Sequence, residues 1–349
     1  MSGFGYFDAS QYEPKKDETA WIVKNVIPKG LGFVAGPPKG NASPHGGKSV
    51  LQRKLGISII TKQPFFQFDT LESGNILFVN LDEDPDKQVR LYYRMTKGKK
   101  IPGYYISKAK SCRLPEQLPL LEEDIKTLKP LVVFIDPFMR VLNGRDVKEQ
   151  KDVGPIIDGL KRLVLEYKVT IIVSHHSIKG LNKKHKENTA QWLSGSVDLD
   201  SAWDFCLCVE WDKESDVMHV RNFQKEKAKT DFFYQAEIVN GDEIVDLIEI
   251  PEEFKSSQQA RMIWRALYTH GPDLSSRQLS EMLKIAESSV RFQLNGPIKK
   301  YAVKLACIRT AHMQQAQKIN KYLDELDDIC VNLEDVVDLG LNPRSEDLN

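Results

Sequence analysis

The 349-residue chain has no surplus of charge, with 49 lysines and arginines against 49 aspartates and glutamates. That excludes a uniformly basic nucleic-acid coat, so any such binding must come from a local patch. No apolar run approaches the roughly 20 residues of a membrane span. The start, MSGFGYFDAS, lacks the basic-then-apolar order of a secretory signal. A soluble, cytoplasmic protein without a membrane partner is expected. Cysteine is scarce, odd in number and scattered, at Cys112, Cys206, Cys208, Cys307 and Cys330. Reduced core thiols are expected rather than a disulfide framework. Cys206 and Cys208 alternate along an apolar run with no second Cys/His pair nearby, which argues against a metal. No internal repeat and no low-complexity block is present.

What the chain does have is concentrated in LGFVAGPPKGNASPHGGKSV, residues 31–50. Leu31 to Ala35 reads as a short buried strand, and a Gly/Pro-rich loop follows. Gly47-Lys48-Ser49 then opens a helix-patterned stretch from Val50 to Ile60. Strand, glycine loop, Gly-Lys-Ser and helix form the context of a phosphate-binding loop. Backbone N–H groups of the loop and of the helix start would face phosphate oxygens, where the helix dipole favours negative charge. Lys48 would reach the phosphates and the Ser49 hydroxyl would be a ligand of Mg²⁺. The usual spacing puts Ala42 where the first glycine belongs. Leaving out Gly40–His45 restores every position from Gly36 to Ser49, so the loop reads as carrying a six-residue insertion. The candidate nucleotide-binding set is Gly36, Gly46, Gly47, Lys48, Ser49 and Val50.

Around that loop, short apolar runs alternate with helical patterns, the rhythm of a mostly parallel α/β sheet. The runs are Leu31–Ala35, Ile76–Leu81, Tyr104–Ser107, Leu131–Ile135 and Val169–Ser174. Asp86–Met95, Glu116–Leu128 and Val153–Tyr167 have helix spacing between them. From Asp204 the runs Phe205–Trp211, Met218–Phe223, Phe232–Ile238 and Glu243–Ile248 crowd together with turn signals such as Asn240-Gly241. They predict antiparallel strands added to one edge. Four regions are expected: an arm over 1–18, an α/β domain over 19–250, a helical unit over 251–313 and an acidic tail over 314–349.

Three strand ends could carry chemistry at the carboxyl edge of such a sheet. Asp82-Glu83-Asp84-Pro85 offers a carboxylate that could deprotonate an attacking water, or an acidic turn that caps the next helix. Spacing alone leaves open which acid matters. LVVFID ends in Asp136, the form that holds Mg²⁺ beside a phosphate loop. VTIIVSHHSIKG brings Ser174, His175 and His176 to the same edge. Adjacent histidines on a strand point to opposite faces and seldom share an ion, so one of them sensing phosphate is the better functional reading. Further on, Arg221, Lys225, Lys227 and Lys229 could supply charge to a neighbouring subunit's phosphate or contact DNA.

The helical unit concentrates positive charge: nine basic residues against three acidic ones between Ser256 and His312. Ser257–His270, Ser275–Leu283 and Glu287–Asn295 read as helices, each of the last two with a polar cap, joined by a turn at Lys284–Ala286. This is a helix-turn-helix pattern of the winged kind. Arg277, Ser288, Ser289, Arg291 and Lys299 are its candidate DNA-contacting residues, beside Phe292 and Gln293. The acids of the tail could compete with DNA for this unit.

The chain resembles RecA-superfamily ATPases of the RepA type, plasmid replicative helicases, and their AAA_25 relatives. The resemblance runs from about Trp21 to Ile250. It rests on GPPKG…GKS with its helix ending Lys62-Gln63-Pro64-Phe65, on Glu83-Asp84-Pro85, on FIDPFMRVLNG and on VSHHSIKG. It implies a RecA-like core, ATP and Mg²⁺ as cofactors, and Glu83 as the catalytic base. It assigns Lys48, Ser49 and Asp136 to phosphate and metal, and His176 to the link between γ-phosphate and DNA. It further implies a ring or filament of copies acting on single-stranded DNA, with duplex DNA a candidate partner of the C-terminal unit. Where the family has Arg-Gly-Ser, this chain has Ser194-Gly195-Ser196, so a trans-acting charge must come from elsewhere, with Arg221, Lys225 and Lys227 as candidates. The expected function is an ATP-dependent DNA-processing motor. The alternatives are a DNA-binding initiator or regulator whose core has lost hydrolysis, and a filament-forming clamp or recombinase.

Overall fold

The computed structural model describes residues 20–37, 47–109, 111–177, 192, 193, 195, 197–212, 217–224, 230–239, 243–254, 257–296, 298, 299, 301 and 302. The chain divides into two compact units, Met1–Ser256 and Ser257–Asn349.

The first unit is built on a nine-stranded sheet. A separate two-stranded ribbon, β1 (Trp21–Val23) with β2 (Ile27–Pro28), precedes it. The sheet strands are β3 (Leu31–Gly36), β4 (Ile76–Asn80), β5 (Tyr104–Ile106), β6 (Val132–Asp136), β7 (Thr170–His176), β8 (Phe205–Asp212), β9 (Val217–Gln224), β10 (Phe232–Val239) and β11 (Glu243–Glu249). Their spatial order is β11-β10-β9-β8-β3-β7-β6-β4-β5. Pairings from β8 through β5 are parallel, and β8-β9-β10-β11 are antiparallel neighbours. The expected antiparallel addition at one edge is therefore present. The ribbon and the one-turn helix Phe138–Val141 are elements that sequence reading did not predict; the ribbon's strands are only three and two residues long.

The central parallel strands β3, β4, β6 and β7 are buried on both faces, which is why these runs are continuously apolar rather than alternating, whereas the edge strand β5 is partly exposed. One face packs Phe33, Ala35, Val133, Ile135 and Ile171 against α3 (Leu118–Leu128) and α5 (Gln150–Tyr167). The other packs Val34, Phe78, Phe134 and Ile172 against α1 (Lys48–Thr61). Phe78 stacks on Phe134 at 4.4 Å and on Tyr104 at 5.4 Å between centroids. Full burial of each such ring is worth about 1.5–3 kcal/mol. α2 (Pro85–Met95), α4 (Phe138–Val141) and α6 (Val197–Ala202) complete the unit. A rosette of Phe65, Phe66 and Phe68 around Phe232, with Phe66 stacked on Tyr234 at 5.6 Å, fastens β10 to the segment after α1.

Among the described residues of the second unit are α7 (Gln258–His270), α8 (Ser276–Leu283) and α9 (Glu287–Asn295). Ser257 caps α7 through Ala260 N–H, and Ser275 with Gln278 forms a reciprocal capping box on α8. Lys284 ends α8 in the left-handed conformation. A polar cap on the last helix is not found. Its cap residue is Ala286 with no side-chain bond, and Glu287 in the first turn meets the positive helix end instead. Ile263, Leu267, Leu279, Val290 and Ile298 are among the unit's buried apolar residues. Residues 303–349, which would include a wing and the acidic tail, lie outside the described residues.

Candidate functional site

β3 lies between β7 and β8, and α1 follows it in the chain. A crevice at the carboxyl ends of such strands is where ligands of open α/β sheets bind. Parallel register places Gly36 opposite His176 and Asn80 opposite Asp136, so all four share that edge. Gly36 has a steric reason to be glycine, because a Cβ there would lie 2.9 Å from the Val209 carbonyl oxygen.

α1 begins at Lys48. Its cap residue Gly47 is extended, at φ −154° and ψ −153°, makes no side-chain capping bond, and no acid occupies the first turn. A helix start without a competing carboxylate suits an anionic ligand. Lys48 Nζ donates to the carbonyl oxygens of Gly36 at 3.1 Å and Pro37 at 2.8 Å, bridging the two ends of the loop. Gly46 and the insertion Gly40–His45 lie outside the described residues, whereas Val50 is buried in the first turn of α1.

One residue along, Ser49 Oγ donates to Asp136 Oδ2 at 2.5 Å. Ser174 donates to the other oxygen, Asp136 Oδ1. Asp136 is 6 % exposed and Ser174 fully buried, so the carboxylate is desolvated yet hydrogen-bonded on both oxygens. An all-oxygen pair, hydroxyl plus carboxylate, beside a helix start is the donor chemistry Mg²⁺ takes from proteins. Ser49 and Asp136 would hold it, directly or through water, and the ion would neutralise charge on phosphate oxygens.

The acidic turn after β4 separates into three roles. Asp84 accepts from Asp86 N–H and caps α2. Asp82 pairs with Arg140 at 2.7 Å on the surface side. Glu83 points inward, where Arg53 Nη1 of α1 meets its Oε2 at 3.1 Å and Lys87 Nζ meets its Oε1 at 3.1 Å. Asn80 Oδ1 accepts from both Asp82 and Glu83 N–H at 3.0 Å, which fixes the turn. The two readings of this stretch, capping turn and inward carboxylate, thus fall on different residues.

A comparison with protein families matches residues 4–181, just over half of the 349, to AAA_25, an AAA domain. The chain belongs to that family. A comparison with curated proteins finds no match. The AAA domain match ends before β8, so the antiparallel strands and the helical unit lie beyond it. Membership together with the parallel sheet makes this a nucleotide-binding P-loop ATPase domain of RecA-like architecture, and Mg²⁺ is the metal such domains imply.

Two further residues of the AAA domain's edge are the paired histidines, which part company. His175 is buried, its ring edge-on to Phe138 at 5.9 Å. His176 is half-buried within the field of Lys48, Asp136 and Asp82. Burial, then the Lys48 cation, hold its pKa below the usual imidazole value, against the upward pull of the two aspartates. Arg221 sits on β9 opposite Cys208, which in turn pairs with Ala35 of β3. Its Nε is 4.0 Å from the Glu210 carboxylate. Lys225, Lys227, Ser194 and Ser196 lie outside the described residues. Cys206 and Cys208 are buried free thiols with sulfurs 3.5 Å apart, and burial pushes the Cys208 thiol up. Among the described residues no helix is long and apolar enough to cross a membrane.

In the second unit, Arg277 pairs with Glu281 at 3.1 Å and Arg291 with Glu287 at 2.7 Å. Ser276 also bonds Glu287, at 3.0 Å. Ser288 and Lys299 are exposed and Ser289 half-buried. Phe292 is 71 % exposed on the same face of α9 as Ser288, one turn away. Sequence reading missed the partners of the acidic turn, Arg53, Lys87 and Arg140. Two adjacent cations, Arg53 and Lys54, inside the helix stretch Val50–Ile60 were the only signal for Arg53, because a buried cation requires an anion opposite it.

Proposed function

We propose that this chain is an ATP-driven DNA-processing motor of the RepA type. The observation that carries the ATPase half is the convergence of Lys48, Ser49 and Asp136 at the carboxyl edge of β3 and β6. In the proposed step the oxygen of a water bonds to the γ-phosphorus as the bond to the ADP leaving oxygen breaks. Glu83 takes the water's proton, Lys48 exchanges its two carbonyls for phosphate oxygens, and His176 reports the state of the γ-phosphate to the DNA-contacting surface. Copies of the chain form a ring or filament, with Arg221, Lys225 or Lys227 of one copy beside the phosphate of the next.

The DNA half rests on charge and on α9. Six net positive charges between residues 256 and 312, in a chain with none overall, supply the electrostatic footprint. Ser288, Ser289 and Arg291 supply polar contacts, with Arg277 and Lys299 flanking them. The i,i+4 partners of Arg277 and Arg291 reduce that footprint at the helix pair itself.

A second reading is a DNA-binding initiator or regulator that binds nucleotide without hydrolysing it. It is favoured by Glu83, whose two carboxylate oxygens are each engaged by a cation. ATP turnover with and without single-stranded DNA separates the two. DNA-stimulated turnover supports the motor, and DNA binding without any turnover supports the regulator. Turnover without strand separation would remove the helicase part alone.

A further inference from the structure

We propose that Arg53 is a positioning residue that stows Glu83 in the resting protein, so that ATP turnover requires the Arg53–Glu83 pair to open. This rests on the reading of Glu83 as the base. The pair is buried, with side chains 5 % and 8 % exposed, and it joins α1 to the turn after β4. A base needs an oxygen presented to water. Here one oxygen faces Arg53 and the other faces Lys87, so both are occupied by cations rather than presented to water.

Three features make the pair suited to opening. The backbone of the turn is pinned by Asn80, so the Glu83 side chain can swing without the turn moving. Arg53 stands five residues after Lys48 on one continuous helix, so the phosphate-binding lysine and the holder of Glu83 are fixed to the same rod. Events at the helix start therefore reach Glu83 without an intervening loop. Finally, Arg53 Nε is buried without a hydrogen-bond partner. That unmet donor costs free energy in the closed arrangement, which narrows its advantage over an open one in which Nε finds a partner.

The test measures ATP turnover of the full-length chain without DNA, for the native protein and for Arg53→Met, Arg53→Lys, Lys87→Met, Glu83→Gln and the double variant Arg53→Met/Glu83→Gln. Nucleotide affinity and thermal stability are measured alongside. Stowing predicts that Arg53→Met raises kcat roughly ten- to a hundredfold at little changed KM, the population factor of one charge-assisted hydrogen bond. Arg53→Lys and Lys87→Met should give smaller rises, and DNA stimulation should shrink in proportion. Glu83→Gln and the double variant should both be inactive. A kcat that falls in Arg53→Met and in Arg53→Lys, with affinity and stability retained, would overturn stowing and make Arg53 an orienting group. If Arg53→Met fails to fold, Arg53→Lys and Lys87→Met decide the sign. Full turnover by Glu83→Gln would instead remove the base reading, and stowing with it.

Discussion

Ser174→Ala probes the carboxylate on which the proposed metal site depends. Ser174 is fully buried and donates to Asp136 Oδ1, while Ser49 holds Oδ2. A hydrogen bond to a buried charge is worth about 1.5–3 kcal/mol, and truncation to Ala leaves that oxygen with one donor fewer and no water to replace it. A loss near 2 kcal/mol is expected in the absence of ligand. For a unit of this size that corresponds to a fall in Tm of about 5 °C. Tryptophan fluorescence reports mainly on this unit, which holds four of the five tryptophans, at 21, 192, 203 and 211. Repeating the melt with Mg²⁺ and a non-hydrolysable ATP analogue should shrink the deficit, because a cation beside Asp136 compensates the missing donor and ligand binding adds its own linkage. An equal deficit in both conditions would show that Asp136 does not meet the metal. No deficit in either would show that the serine is not bonded to the carboxylate in solution.

Gly32→Ala should destabilise the first unit by about 3 kcal/mol, since its Cβ would stand 2.1 Å from the fully buried Phe205 ring; chemical denaturation measures this. His176 has a folded pKa held below its unfolded value, so the stability it leaves intact above about pH 6.5 is lost as pH falls through that value toward the folded one. His176→Asn should flatten stability against pH across that window, and an unchanged profile would contradict the assignment. Deleting residues 324–349, which carry nine acids and one arginine, should tighten DNA binding at low salt and leave it unchanged at high salt. Equal affinity for both proteins at low salt would dismiss the tail as a competitor.

The parallel core was legible because its strands are buried on both faces, so Ile76–Asn80 and Val132–Asp136 announce themselves as apolar runs ended by a polar residue. The phosphate loop was legible because Gly47-Lys48-Ser49 stands between an apolar strand run and a helix-patterned stretch, now β3 and α1. The ribbon of Trp21–Val23 and Ile27–Pro28 escaped because a two- or three-residue strand shows no period. The acidic turn was half legible: three carboxylates at a strand end were evident, but which of them turned inward depended on Arg53 and Arg140, which lie 30 and 58 residues away in sequence. Pairing across such distances leaves no local pattern. The same holds for Ser174, whose role comes from Asp136 on the neighbouring strand.

Lys48 is the residue on which the nucleotide-binding role of this loop depends. Steady-state ATP turnover, with single-stranded DNA and Mg²⁺ present, compared between the native chain and Lys48→Ala, tests this most directly. DNA-stimulated turnover is expected in the native protein, and its loss in the variant. Equal turnover in both proteins, or none in either while nucleotide binding is unaffected by the substitution, would contradict it.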